Sequence, residues 1–160
     1  MTRPNKIIVA ALGLPISGDG TKVLLTERYA PKYPAWHHKW QVAGGGLEFG
    51  ETMEDAVARE LWEELHVKAK IIHPHPIVKS SIWYAEESDE KMDTEVILIM
   101  YLVNIGDQQP DLTQDPDPSQ ETGNWGWFTL DEVKKLDMLS LTLPAVEEAF
   151  HLIAHHEIIK

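Results

Sequence analysis

The sequence predicts a single α/β domain in which a mixed β-sheet is flanked by helices. Strand-like apolar runs occur before, between and after two main helical stretches, which favours helices packed on the faces of a sheet. The 160 residues show no internal repeat or linker, so we expect one domain over residues 1–160. A hydrophobic fraction of 43% and six tryptophans can form a core, and without cysteine no disulfide can contribute.

The charge of the chain excludes some classes of function. A formal net charge of −12 disfavours binding to nucleic acids, which requires clustered Lys and Arg. No apolar stretch approaches the length of a membrane span, and the first residues do not follow a signal-peptide pattern. We therefore expect no nucleic-acid or membrane partner and a cytoplasmic location. An acidic protein can still bind a small anion through a divalent cation.

The first 43 residues predict three strands. Ile7–Leu14 is an apolar, β-branched run, and a turn signal at Ser17–Gly20 separates it from a second strand over Lys22–Arg28. This arrangement predicts a hairpin. The segment Tyr29–Lys39 contains two prolines and predicts a loop, and Trp40–Ala43 predicts a short strand.

A glycine-rich turn at Gly44–Gly46 precedes the clearest helix, over Thr52–Leu65. Thr52 is a good N-cap, and Asp55 follows three residues later in a near capping box. One apolar stripe at helical spacing comprises Met53, Ala56, Val57, Leu61 and Leu65. The stripe predicts a helix that is buried on one face.

The central part of the chain predicts three further strands. Val67–Ile72 and Ile77–Ala85 are separated by prolines, and Glu86–Lys91 reads as a charged turn. Glu95–Asn104 is the most hydrophobic run, so we expect it to lie in the centre of the sheet.

The C-terminal part begins with a polar loop over Gly106–Gly123, long enough to suggest a functional role. A last strand follows at Trp125–Phe128. Thr129 and Glu132 form a capping box for a short helix through Leu136, and Pro144 suits the first turn of a final helix.

Three glutamates of the helix carry the strongest chemical signal. Residues three and four apart on a helix are neighbours, so Glu60, Glu63 and Glu64 surround one small volume. Their mutual repulsion would be relieved by a hard cation such as Mg²⁺, and the carbonyl of Gly44 could add an oxygen ligand. Taken alone, the three glutamates are more typical of a solvent-exposed helix face than of a metal site. Their sequence context reverses that preference.

That context resembles the Nudix hydrolase family. The family signature is Gly, five residues, Glu, seven residues, then Arg-Glu-aliphatic-any-Glu-Glu-any-Gly-aliphatic. Gly45, Glu51 and the run from Arg59 to Val67 match it, and the one departure is His66 in place of glycine. The resemblance implies the Nudix α/β/α sandwich, with a mixed sheet flanked by helices. It also implies a metal-dependent hydrolase of diphosphate linkages.

The resemblance assigns roles to individual residues. It implies Mg²⁺, or alternatively Mn²⁺, as the cofactor, and a water attack on phosphorus with Glu60 or Glu63 as the proton acceptor. Arg59 and Glu51 would pair and hold the loop against the helix. The implied catalytic residues are Glu51, Arg59, Glu60, Glu63 and Glu64. The implied metal ligands are Gly44, Glu60, Glu63, Glu64 and, by its spacing to a late tryptophan, Glu121.

The substrate is less well defined by the sequence. The chain looks most like MutT-type enzymes, which cleave nucleoside triphosphates to a monophosphate and pyrophosphate. The alternatives are ADP-ribose, a nucleotide sugar or a dinucleotide as substrate, or a noncatalytic nucleotide-binding module. Members of the resembled family are often dimers, so the resemblance also implies a homodimer. Candidate substrate-binding residues are Arg28, Trp40, Gly45, Gly46, Trp83 and Trp127, with weaker candidates at Trp36, Trp125, Lys79 and Tyr84.

Overall fold

The computed structural model describes residues 4–86, 91–113 and 122–156. These residues form two β-sheets and three helices. The strands are β1 (Asn5–Pro15), β2 (Val23–Arg28), β3 (Trp40–Gln41), β4 (Ala43–Gly46), β5 (Lys70–Ile71), β6 (Ile77–Trp83), β7 (Asp93–Asn104) and β8 (Thr122–Phe128). The helices are α1 (Met53–Leu65), α2 (Leu130–Val133) and α3 (Thr142–His156).

The larger sheet is mixed, as predicted, and β7 is its central strand. Its order is β4-β1-β7-β5, with β6 also paired to β7. β1 and β7 run parallel from Asn5 opposite Asp93 to Pro15 opposite Val103, and the other pairs are antiparallel. The smaller sheet has the order β3-β2-β8.

The helices cover opposite faces of the larger sheet because successive residues of a strand point to opposite sides. Ala11 of β1 belongs to one buried cluster with Val57 and Leu61 of α1. Its neighbours on the strand, Ala10 and Leu12, belong to a second cluster that includes residues of α3. The predicted α/β/α sandwich is thereby confirmed. At Gly13 the approach of α1 is so close that an added Cβ would lie 2.5 Å from Leu61 Cδ1.

Two local predictions were wrong. β1 and β2 do not form a hairpin ladder: they belong to different sheets, and between them lies an isolated antiparallel bridge from Ile16 to Val23. β1 is paired with β7 on one side and β4 on the other, which leaves β2 to pair with β3 and β8. Gly44–Gly46 is not a turn but part of strand β4, where it pairs with β1. The predicted strand over residues 40–43 is thus divided between two sheets.

The predicted ends of α1 are confirmed. The Thr52 hydroxyl accepts a hydrogen bond from the Asp55 backbone N–H at 3.1 Å. His66 ends the helix in the left-handed conformation, with φ 53° and ψ 38°, and its N–H donates to Trp62 O. The capping box of Thr129 and Glu132 at α2 is also present.

The remaining boundaries differ modestly from those predicted. β5 is only two residues long, and β8 begins earlier, at Thr122. Most of the predicted charged turn and much of the long loop lie outside the described residues. In the part of the chain that is described, no helix has the length and apolar character needed to span a bilayer.

Candidate active site

Arg59 is the centre of a network that joins α1 to the loop before it. Its guanidinium donates to both carboxylate oxygens of Glu51, at 2.7 and 3.0 Å. It also donates to Glu60 at 2.9 Å and to Glu63 at 3.2 Å. A further bond, at 3.2 Å, goes to the carbonyl of Gly46 on β4. One cation therefore positions three carboxylates and the glycine strand.

The ionisation of Glu51 is set by this network. The hydrogen bond from Arg59, and secondarily that from the Glu48 backbone N–H, lowers the pKa of Glu51 from 4.5 to about 2. The same bond, chiefly, raises the pKa of Arg59. Both groups are thus charged at neutral pH, as a bidentate Arg–carboxylate pair requires.

Glu60 is the buried carboxylate of the site. The residue is only 9% exposed. Burial raises the pKa of Glu60, and the hydrogen bond from Arg59 opposes that rise. Its carboxylate lies against Gly45, where an added Cβ would be 2.7 Å from Glu60 Oε1. A side chain at position 45 would therefore displace this carboxylate from the place where Arg59 holds it.

Glu64 approaches the same strand one position earlier. The backbone N–H of Gly44 donates to Glu64 Oε2 at 3.3 Å. Gly44 has φ +145°, and a Cβ there would lie 2.3 Å from Ala11 O, so the position requires glycine. Glu60 and Glu64 therefore both face the backbone of β4, whereas Glu63, with a side chain 56% exposed, faces solvent.

These donors suit a magnesium ion that also binds phosphate. Within residues 4–86, 91–113 and 122–156, no three His, Cys, Asp or Glu side chains form a preformed metal cage. Magnesium in phosphate-handling sites rarely uses such a cage; it takes one or two carboxylates together with water and substrate phosphates. Glu60 and Glu64 beside bare glycine backbone meet that requirement. Glu121, the further ligand candidate, lies outside the described residues.

A cavity of about 270 Å³ lies on the other face of the larger sheet from α1 and reaches the glycine strand β4. Of the predicted substrate-binding residues, Arg28, Gly45, Gly46 and Trp83 line it. Two weaker candidates, Trp36 and Lys79, line it as well. Most of the remaining lining is aliphatic. The cavity is thus largely apolar, with aromatic and cationic groups at its wall, as small-molecule sites commonly are.

The other tryptophan candidates are not at this cavity. Trp40 packs edge-on against Phe128, with ring centroids 5.0 Å apart. Trp127 and Trp125 pack against the core beneath α1. Tyr84 lines a neighbouring cavity. A tryptophan in a strand predicts aromatic burial, but the face it occupies depends on which strands pair.

Sequence reasoning missed several cavity residues. Gln41 and the segment Leu139–Thr142 line the cavity, and Leu141 adopts φ 72° there. Glu148 of α3 forms an ion pair with Lys79. No local pattern marks these residues, because they come together only when α3 packs on the sheet.

The comparisons with known proteins agree with this geometry. A family model described as "NUDIX domain" matches residues 6–149. The chain is 31% identical over 106 residues to the nucleoside triphosphatase NudI of Enterobacter sp. (strain 638), covering 65% of this chain and 71% of that protein. It is 26% identical over 128 residues to an RNA pyrophosphohydrolase of Shewanella baltica, covering 75% and 69%.

Solved structures are similar in fold. A MutT NUDIX hydrolase from Burkholderia pseudomallei superposes with a TM-score of 0.68 at 23% identity, over 89% of this chain and 97% of that one. An Ap4A hydrolase from C. elegans gives 0.60 at 18% identity, over 92% and 98%. At these identities the likeness establishes the fold alone.

Proposed function

This chain belongs to the NUDIX hydrolase family and is a pyrophosphohydrolase, and on that premise we propose that its substrate is a nucleoside triphosphate, cleaved to a nucleoside monophosphate and pyrophosphate. The observation that carries this proposal is the position of β4. One side of Gly44–Gly46 meets the carboxylates of Glu60 and Glu64, and the other reaches the apolar cavity. A nucleoside in the cavity would place its phosphates at the glycine strand.

Different residues of the chain bind the metal, position the carboxylates and accept the proton in the proposed reaction. Glu60 and Glu64 would hold Mg²⁺, or Mn²⁺ in its place, which supplies charge neutralisation at the phosphates and a lower pKa for the attacking water. Arg59 holds Glu60 and Glu63 in position. Water forms a bond to the α-phosphorus, and the bond from that phosphorus to the oxygen bridging it to the β-phosphate breaks, with pyrophosphate as the leaving group. One proton of the water passes to Glu63. We assign the proton to Glu63 because its carboxylate is exposed to water.

The cations of the cavity suit an anionic ligand in an otherwise acidic protein. Arg28 and Lys79 both line the cavity. Lys79 is oriented by its ion pair with Glu148. Their positive charges would attract the triphosphate despite the net charge of −12 on the chain.

The proposal is tested by incubating the purified protein with Mg²⁺ and a panel of substrates. The panel contains nucleoside and deoxynucleoside triphosphates, ADP-ribose, a nucleotide sugar, a dinucleoside polyphosphate and 5′-triphosphorylated RNA, with products identified by chromatography and ³¹P NMR. We expect pyrophosphate release from triphosphates, abolished by EDTA and restored by Mg²⁺ or Mn²⁺. Cleavage of ADP-ribose without cleavage of any triphosphate would overturn the proposed substrate.

A matched pair of variants tests the site. Glu64→Gln should lower kcat by at least about 100-fold, because it removes a metal-ligating charge without changing size. Glu147→Gln makes the same chemical change on the exposed side of α3 and should leave kcat unchanged. Undiminished turnover by Glu64→Gln would contradict the assigned site.

A further inference from the structure

Two cavities of this protein share a wall that includes two indoles. Trp36 and Trp83 line the inner cavity of about 270 Å³, which reaches the glycine strand. The same residues line an adjacent, more open cavity of about 450 Å³. The ring centroids of Trp36 and Trp83 are 5.4 Å apart, with an interplanar angle of 45°. At that spacing the rings pack against each other, and with Leu139 and Ser140 they lie between the two cavities.

Each of the two indoles in this wall is held in place by a different part of the fold. Trp83 is the last residue of β6 and pairs with Thr94 of β7. Trp36 lies in the loop before β3, where its backbone N–H donates to Tyr33 O at 2.9 Å. The Arg28 guanidinium carbon lies 5.2 Å from the centroid of the Trp36 ring, a cation–π distance. Two independent elements thus fix the two indoles.

Behind the wall, the second cavity has its own aromatic and cationic lining. Tyr84 and Lys39 line it, and neither lines the inner cavity. Leu139 and Ser140 line both. The backbone of Leu139 is tied to β3 by a hydrogen bond from its N–H to Trp40 O at 3.0 Å. The space behind the indoles is therefore framed by secondary structure and could receive a group that passes the wall.

We propose that Trp36 and Trp83 determine which nucleotides this enzyme accepts. This inference rests on the proposed function, in which the nucleobase occupies the inner cavity. The indoles supply flat faces for stacking, which is tolerant of base identity. Their contact closes the cavity behind the base, so an unsubstituted base fits and a base with a bulky exocyclic substituent is excluded by steric clash, the usual route to rejection of a competing ligand.

The test compares ATP with N6-benzyl-ATP and CTP with N4-benzyl-CTP. For each pair the ratio of kcat/KM is measured in the wild type, Trp36→Ala, Trp83→Ala and Trp83→Phe. The ratio of dissociation constants is measured in parallel by equilibrium dialysis without metal. Trp62→Ala serves as the control, because it removes an exposed indole of α1 that lines neither cavity. Circular dichroism confirms that each variant is folded.

Both alanine variants open the wall and should lower the kcat/KM ratio of the unsubstituted to the benzylated nucleotide at least about tenfold. That is the lower end of the discrimination that binding pockets achieve by size. Trp83→Phe should give a smaller change and Trp62→Ala none. An unchanged ratio in both alanine variants, or a wild type that accepts both members of each pair equally, would overturn the inference. Binding without hydrolysis would refute the proposed function. The ratios of dissociation constants would then still show whether Trp36 and Trp83 exclude the benzylated nucleotides. Absence of both hydrolysis and binding would refute both.

Discussion

Gly45→Ala probes the contact on which the site depends most directly. An alanine Cβ at this position would lie 2.7 Å from Glu60 Oε1 and 2.8 Å from Glu60 Cδ. An ordinary contact begins at 3.4 Å, so the carboxylate must move by about 0.7 Å. Misplacement of a reacting group by about 1 Å can cost 100-fold in rate. We therefore expect kcat to fall by about 10- to 100-fold.

The loss should be catalytic rather than structural. Overpacking of this kind costs about 1–3 kcal/mol of stability, which for a domain of this size lowers Tm by about 2–12 °C and leaves the protein folded at 25 °C. Initial rates with a nucleoside triphosphate and Mg²⁺, together with a thermal melt, separate the two effects. Gly46→Ala adds the same methyl group one position along the strand, where no atom lies within 4 Å, and should lose much less activity. Equal losses in the two variants would refute the steric reasoning.

Three further predictions follow from the same region. Arg59→Gln should lower the free energy of unfolding by about 2–3 kcal/mol in urea melts, because it leaves the buried carboxylate of Glu60 without its cation; an unchanged urea midpoint would contradict this. Glu51 has its pKa lowered to about 2 from 4.5, so the unfolded chain binds more protons between those values and stability falls as pH decreases through that range. Glu51→Gln should lower stability at pH 7 and flatten that acid-side decline, and parallel wild-type and variant curves between pH 4.5 and 2 would argue against it. His66→Gly should raise the free energy of unfolding by about 1 kcal/mol, or Tm by about 2–4 °C, because glycine adopts the left-handed conformation without strain from a Cβ. A lower Tm in a thermal melt would show that the packing of the His66 ring outweighs that strain.

The elements predicted best were those specified by local interactions. The start and end of α1 follow from Thr52 and from the left-handed position of His66, which act within one helical turn. The central position of β7 follows from its continuous apolar run, since such a strand is stable only when both faces are covered. The spacing of Glu60, Glu63 and Glu64 places them near one another on any helix.

The elements predicted worst depended on distant partners. Gly44–Gly46 has the composition of a turn but forms a strand because β1 offers it a pairing edge. The predicted hairpin of β1 and β2 failed because β7 and β4 occupy both edges of β1. Trp40 and Trp83 are both strand tryptophans, yet only Trp83 faces the cavity. The cytoplasmic location and the homodimer stay predictions.

The sequence by itself determined the family and the grouping of three glutamates on one helix, because the signature is a run of neighbours whose spacing on a helix is set by backbone geometry. Only the tertiary structure decided what that helix faces. A larger residue at Gly45 would displace the Glu60 carboxylate, which approaches it from a different element. The cavity brings together residues from position 8 to position 145, and its walls exist only after the sheets pair and α3 packs. Long-range packing of this kind leaves no local pattern, so the cavity could be found only in the folded chain.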